Sequence, residues 1–346
     1  MLQSLLAKTL HCAIDERVLI LNSSSDPCVP FLAQQLSAGE LLLAEDNIVA
    51  ARQAQVAIAR LGKGRPRLRQ VAFHEYSLHE APATMDVAVM NILYQPNNAW
   101  MHYALQLAAY ALKEGGRLYI EGAKDRGILS LGRRVQELFG NLETLEISKG
   151  QRVICARKHE ISGELISAPH FAPFAGGKMD EGTSLLLEAL VVHTTDLALD
   201  LGCGSGFIGA AIAERASKGQ VTLVDASLTS VAAAQQLLEE RELLNAQVLA
   251  SDGTQVVRDQ RFDLVATNPP FHMGGIQTTA IAERFIREAS AVLRQRGRFY
   301  LVANRFLKYE PVLRDCFSVV EEVAGNTRFK VLRAEHGPVE PLPRFF

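Results

Sequence analysis

Asn268, Pro269, Pro270, Phe271 and His272 follow one another at the end of a β-rich run, Phe262 to Thr267, and carry the clearest chemical meaning in this 346-residue chain. Two consecutive prolines fix the backbone and cannot continue a hydrogen-bonded ladder, so the segment predicts a rigid turn at a strand end. Such a turn can present two acceptors, the Asn268 side-chain oxygen and the Pro269 carbonyl. Each can take one N–H of a planar NH2 group, which fixes that group's orientation. Phe271 offers a flat face on which a planar partner can stack.

A second constellation lies upstream. Leu199 to Ile208 reads as a short strand, a glycine-rich turn and the start of a helix. Gly202, Gly204 and Gly206 let the backbone bend tightly and approach a ligand, and the free N–H groups of the following helix start face it. The GxGxG spacing lacks the GxGxxG of dinucleotide loops, which argues against a dehydrogenase. Asp200 stands two residues before the first glycine. The next apolar run ends in Asp225, about 20 residues after the loop, where a carboxylate can accept both hydroxyls of a ribose. The third run ends in Ser251-Asp252-Gly253. Three acids at successive strand ends form a set, because open α/β sheets bind ligands at the carboxyl ends of their strands.

The loop and its acid resemble the first motif of class I S-adenosylmethionine-dependent methyltransferases. Asn-Pro-Pro-aromatic resembles the catalytic motif of members that modify planar amino or amide nitrogens. The resemblance implies S-adenosylmethionine as cofactor, with Asp200, Gly202, Cys203, Gly204 and Gly206 around its amino-acid end. It also implies Asp225 on the ribose, Asp252 on the adenine amine, and Asn268 bordering both cofactor and substrate. The residue types suit the chemistry. An exocyclic base amine is a poor nucleophile because its lone pair is delocalised into the ring. Acceptors at Asn268 and Pro269 would aim that lone pair and stabilise positive charge as it develops. No metal or covalent intermediate is required. His272 suits hydrogen bonding or packing better than a general-base role, since the methylated nitrogen sheds its proton to water readily.

These motifs need strands to hold them. Strands are predicted at 197–201, 221–224, 247–250, 262–267, 298–303, 317–323 and 328–333, with helices near 207–217, 228–242, 278–295 and 306–315. Alternating β and α predicts a doubly wound, mostly parallel sheet, and the last two strands suit an antiparallel edge hairpin. The first half of the chain repeats the pattern. Leu19 to Asn22 aligns with Leu199 to Gly202 and Leu42 to Glu45 with Thr222 to Asp225, both at an offset of 180. Met85 to Val89 aligns with Phe262 to Ala266, and Leu112 to Tyr119 with Leu293 to Tyr300. In this copy the loop reads Asn22-Ser23-Ser24-Ser25-Asp26, without glycine, and Asn91-Ile92-Leu93-Tyr94 replaces the proline motif. Glu45 keeps the second-strand acid. The expectation is an α/β protein of two tandem Rossmann-like domains, a degenerate copy at 1–158 that presents substrate or stabilises its partner, a linker at 159–174 and a catalytic domain at 175–346.

A degenerate methyltransferase-like domain joined to an active one ending in Asn-Pro-Pro-Phe-His resembles the RsmC/RlmG group of ribosomal RNA guanine-N2 methyltransferases. Gly177 to Leu187 and Asn326 to Val331 extend the resemblance. It implies guanine N2 in ribosomal RNA as the acceptor, and Asp180 and Thr183 as cofactor-side residues. Length favours the small-subunit member. The large-subunit member, adenine-N6 or protein-glutamine methylation, and a non-catalytic RNA-binding assembly factor stay open, because the motif reads only a planar NH2.

A net charge of −2 gives no general affinity for nucleic acid, so RNA must be held by local basic clusters. Candidates are Lys63, Arg65, Arg67 and Arg69; Arg133 and Arg134; Arg294, Arg296, Arg298, Arg305 and Lys308; and, beside the motif, His272 and Arg328. Five scattered cysteines without a CxxC pair suit reduced thiols rather than a disulfide framework. No apolar run approaches the ~20 residues that span a bilayer. The expected protein is a cytoplasmic monomer whose partner is ribosomal RNA, a small subunit or its assembly intermediate.

Overall fold

The structure, a computed structural model, describes residues 4–62, 64–159, 179–270, 272–273, 276–277 and 279–337. It divides into two compact units, Met1–His170 and Phe171–Phe346. Apart from His159, the expected linker lies outside the described residues, as do Lys63 and Phe271.

The first unit contains β1 (Arg17–Leu21), β2 (Glu40–Glu45), β3 (Arg67–Ala72), β4 (Met85–Asn91), β5 (Leu112–Ala123), β6 (Glu143–Ser148) and β7 (Gln151–Arg157). The second contains β8 (Leu197–Leu201), β9 (Gln220–Asp225), β10 (Ala246–Ala250), β11 (Phe262–Thr267), a short β12 (His272–Met273) and β13 (Ile276–Gln277), β14 (Leu293–Asn304), β15 (Val319–Gly325) and β16 (Phe329–Glu335). The two large sheets have one strand order, β3-β2-β1-β4-β5-β7-β6 and β10-β9-β8-β11-β14-β16-β15. Five strands run parallel, and the last two form the antiparallel edge that the sequence predicts.

The repeat extends to the register. Val18 pairs Val87 and Ile20 pairs Val89 in the first unit; Ala198 pairs Leu264 and Asp200 pairs Ala266 in the second. Irregularities recur at matched places, between Met85 and Val87 and between Phe262 and Leu264. Even the helix cap after the second strand is repeated. Asn47 accepts from Val49 and Ala50, and Ser227, 180 residues later, accepts from Ser230. A tandem duplication accounts for all of these together.

Period-two alternation buries both faces of the central strands. In the second unit Leu199, Val265, Phe299 and Leu301 pack on the side of the helix Ala280–Val292, while Ala198, Leu264, Ala266, Tyr300 and Val302 pack with the helices Glu181–Ala189, Phe207–Arg215 and Leu228–Glu240. The expected helix at 306–315 begins only at Glu310. Pro311, which lacks an N–H, belongs in a first helical turn. Arg305 to Tyr309 therefore form a turn instead. No helix among the described residues is long and apolar enough to cross a membrane.

Candidate active site at the carboxyl ends of the second sheet

The glycine loop joins β8 to the helix Phe207–Arg215. Gly202, Gly204 and Gly206 all have positive φ, at 73°, 52° and 82°. A Cβ at Gly202 would meet the Phe285 ring at 2.8 Å and one at Gly206 would meet Ala234 at 2.8 Å, whereas nothing lies within 4 Å of the Cβ position at Gly204. The outer glycines are thus packed and the middle one faces open space. Cys203 is buried in the loop, and burial pushes its thiol well up.

Asp225 ends β9 beside this opening. Its Oδ2 accepts the Gly204 N–H at 2.9 Å and its Oδ1 the Ser227 N–H at 2.8 Å. Asp200 lies beneath the loop with no exposed surface. Its Oδ2 accepts the Gly209 N–H at 2.7 Å, which ties the helix start to β8, while its Oδ1 is buried without a partner among the described residues. Burial, with Asp225 nearby, pushes the Asp200 carboxyl up to about 7 against the Gly209 hydrogen bond.

That shift has a measurable sign. The folded value lies above the unfolded one, so the stability it contributes is full below about pH 4 and is lost as pH rises through about 7. Asn at this position can keep the Gly209 bond and never ionises. The melting temperature of D200N relative to the native protein should therefore rise by a few degrees between pH 4.5 and pH 8. A difference that stays flat would mean Asp200 is ionised throughout.

Asp252 follows β10 as expected, but its carboxylate is engaged. Oδ1 is ion-paired with Arg284 at 2.5 Å and Oδ2 accepts from Gln255 at 3.1 Å. An adenine amine would have to share an oxygen already in use.

Asn268 follows β11, whose last residue, Thr267, is fully buried and donates to the Leu201 carbonyl at 2.7 Å. The Asn268 amide nitrogen donates to Asp180 Oδ2 at 3.1 Å and to Thr183 Oγ1 at 3.0 Å. Asp180 also caps the helix Glu181–Ala189, accepting the Thr183 N–H at 2.7 Å. Reversing the amide would set its oxygen against a carboxylate, so the orientation is chemically determined. Its donors are consumed at Asp180 and Thr183, and the oxygen remains for a ligand. Asp180 and Thr183 therefore act on Asn268 rather than standing at the cofactor side alone. Pro269 is buried and Pro270 half-buried. His272 sits in β12, paired with Gln277 across the two-stranded ribbon.

Glu181, which sequence reasoning missed, extends the site outward. Its carboxylate accepts from Asn326 at 3.0 Å and from Arg328 at 2.7 Å, linking the helix start to the β15–β16 turn. Arg328 thus reaches the rim already paired, and Arg305 is paired with Glu322 at 2.9 Å. Other arginines of the expected RNA-binding clusters are held by carboxylates. Arg298 is buried and grips both Asp196 oxygens, at 2.7 and 2.6 Å, so it cannot meet a phosphate. Arg294 pairs with Asp263, and Arg69 pairs with Glu80 and Glu40. In that cluster Arg65 and Arg67 stay exposed.

The first unit shows the same frame around a loop without glycine. The Ser24 N–H donates to Glu45 at 2.9 Å and the Asn47 N–H to the other Glu45 oxygen at 3.0 Å, bonds that match those of Gly204 and Ser227 to Asp225. Yet Gln95 fills the loop, donating to the Leu21 and Asn22 carbonyls at 3.2 Å, and Asn91, the counterpart of Asn268, donates to Asp26 at 2.7 Å and accepts from Leu93 at 2.9 Å. Side chains of the first unit thus bond within their own loop.

An open loop edge at Gly204, a ribose-height carboxylate at Asp225 and an aimed amide oxygen at Asn268 fit S-adenosylmethionine beside a planar amine. Comparison with known proteins agrees. The family model described as the methyltransferase small domain matches residues 165–333. A Shewanella loihica protein named ribosomal RNA small subunit methyltransferase C is 31% identical, over 73% of this chain and 78% of its own. A Pseudomonas entomophila protein of the same name is 30% identical, over 72% and 82%. Among solved structures, the Thermus thermophilus 16S rRNA N2 G1207 methyltransferase RsmC, in complex with AdoMet and guanosine, superposes with a TM-score of 0.81 at 30% identity, covering 96% of this chain and 91% of that one. With such likeness across both units' length, the chain belongs to the ribosomal RNA small subunit methyltransferase C family.

Proposed function

We propose that this protein methylates the exocyclic N2 of a guanine in small-subunit ribosomal RNA, using S-adenosylmethionine and working from the second unit. The observation that carries the reading is the Asn268 amide, whose two donors are held by Asp180 and Thr183 so that its oxygen can accept from a planar NH2. Gly202, Gly204, Gly206 and Asp225 would hold the cofactor, which supplies an electrophilic methyl on a sulfonium. Asn268 and the Pro269 carbonyl would each accept one N–H of the guanine amine and turn its lone pair toward that methyl. Transfer of that methyl, with the thioether as leaving group, would put positive charge on N2, which both acceptors would stabilise. One N2 proton then leaves to water, so no side chain has to act as a base. Phe271 would stack on the base, which must first be swung out of its helix. An unassembled or partly assembled RNA exposes such a base, and the cytoplasm is where it is made.

The first unit, in this reading, retains the fold and has lost the ligand. Gln95 bonds its loop carbonyls and Asn91 bonds Asp26, which suits a supporting or substrate-presenting role within a monomer.

The test uses purified full-length protein, methyl-labelled S-adenosylmethionine, and separate small- and large-subunit RNA from cells lacking the enzyme, followed by nucleoside mass spectrometry. N2-methylguanosine from small-subunit RNA is expected. The same product from large-subunit RNA would move the substrate, and label in adenosine or protein would overturn the guanine assignment.

A further inference from the structure

We infer that Phe306 forms a stacking subsite for an unpaired nucleobase next to the target guanine, an inference that rests on the RNA reading above. Phe306 is 63% exposed and is the one exposed phenylalanine among the described residues. It lies just beyond β14, the hydrogen-bonded neighbour of β11. Thr267 pairs Leu301, and β14 runs on only to Asn304. Adjacent strands lie about 4.8 Å apart, so the ring emerges at the same sheet edge as Asn268, one strand over.

The turn that presents it is firmly built. The Leu307 N–H donates to the Asn304 carbonyl at 3.0 Å and the Arg305 N–H to the Arg328 carbonyl at 2.8 Å. The Arg305 side chain crosses the neighbouring hairpin, donating to the Asn326 carbonyl at 2.7 Å and to Glu322 at 2.9 Å. Gly325 leaves the room for it, since a Cβ there would collide with the guanidinium. Leu307 packs against the core and Tyr309 is buried within it. Leu307 and Tyr309 turn inward on a pinned backbone while the Phe306 ring stays exposed.

The surroundings select the partner. Arg305 and Lys308 share its turn, and Glu322 and Arg328 are bonded to that turn through Arg305; all four are exposed and charged. An apolar protein patch would be a poor match for so small a face among charges. A nucleobase, with a flat π-face on a charged backbone, suits it. Swinging the target guanine out of the strand leaves a neighbouring base without its stacking partner, and Phe306 would replace that partner.

The experiment uses the full-length protein and substrate RNAs carrying 2-aminopurine on either side of the target guanine. The native protein and F306W should quench one of the two probes, and F306L should not. F306L should raise the KM for RNA by roughly 5- to 100-fold, with kcat within about threefold and S-adenosylmethionine affinity unchanged. Native protein that methylates RNA while F306L keeps both its quenching and its KM would overturn the subsite alone. Native protein that forms no N2-methylguanosine from any RNA would overturn the subsite and the function together.

Discussion

Replacing Asn268 by alanine is expected to slow methyl transfer by about 10²- to 10³-fold, the usual consequence of removing one preorganised group that meets charge in a transition state. Cofactor affinity should stay within a few-fold, because the glycine loop, Asp200 and Asp225 are untouched. The reasoning is geometric. The amide of Asn268 spends its N–H donors on Asp180 and Thr183, so its oxygen is the free atom, and alanine deletes that oxygen. The position tolerates truncation. Asn268 is only partly buried, and the strand before it is anchored independently through the buried Thr267. Aspartate would be no remedy. It keeps an acceptor but sets a second carboxylate against Asp180, and like charges at that distance drive one of them to take up a proton. Single-turnover transfer of labelled methyl to RNA, with cofactor binding measured by calorimetry, separates chemistry from binding. An alanine variant retaining more than a tenth of the native single-turnover rate would remove Asn268 from the chemistry.

Much of the frame behind Asn268 is readable in the sequence, for reasons that also set the limit of such reading. β8 and β11 lie where they are predicted, at 197–201 and 262–267, because short apolar runs closed by glycine or proline carry both their type and their end. The duplication is legible for the same reason, as strand ends recur at a nearly constant offset. What the sequence cannot display is which backbone bonds survive a change of side chain. Ser24 makes the bond to Glu45 that Gly204 makes to Asp225, because a main-chain N–H does not depend on residue type. The difference between the two loops therefore shows in the side chains that fill the first, Gln95 and Asn91, which no motif announces.

Strand geometry overrules composition in one of the basic clusters. Arg294, Arg296 and Arg298 look like one exposed group, yet Arg298 lies on the buried stretch of β14 and meets Asp196, whose own segment is 102 residues away. The sequence places a helix near 306–315. Pro311 moves that start to Glu310 and leaves the Phe306 ring outside.

Asp180 gives the sharpest case, since 88 residues separate it from Asn268 and only the fold joins them. D180N is expected to lower kcat by roughly 10- to 100-fold, equivalent to about 1–3 kcal/mol of lost transition-state stabilisation by a misdirected amide. The KM for RNA should change little and the melting temperature should stay within a couple of degrees. Asparagine is as good a helix cap as aspartate, so it can keep accepting the Thr183 N–H and hold the helix Glu181–Ala189. Its other amide atom is now a donor. Asn268 would meet that donor best by turning over, which points its own NH2 at the substrate amine, and two donors facing each other cannot bond. D180A loses the cap as well, so it should melt several degrees lower while losing kcat to a similar extent. T183S, which keeps the hydroxyl acceptor, should restore nearly native kcat where T183A does not. A purely structural Asp180 predicts a different pattern, in which D180N is silent in rate as well as in stability and T183S behaves like any other mild core change. The comparison turns on one atom: if D180N turns over at the native rate, the Asn268 amide is not held by Asp180, and its orientation must be set by the substrate instead.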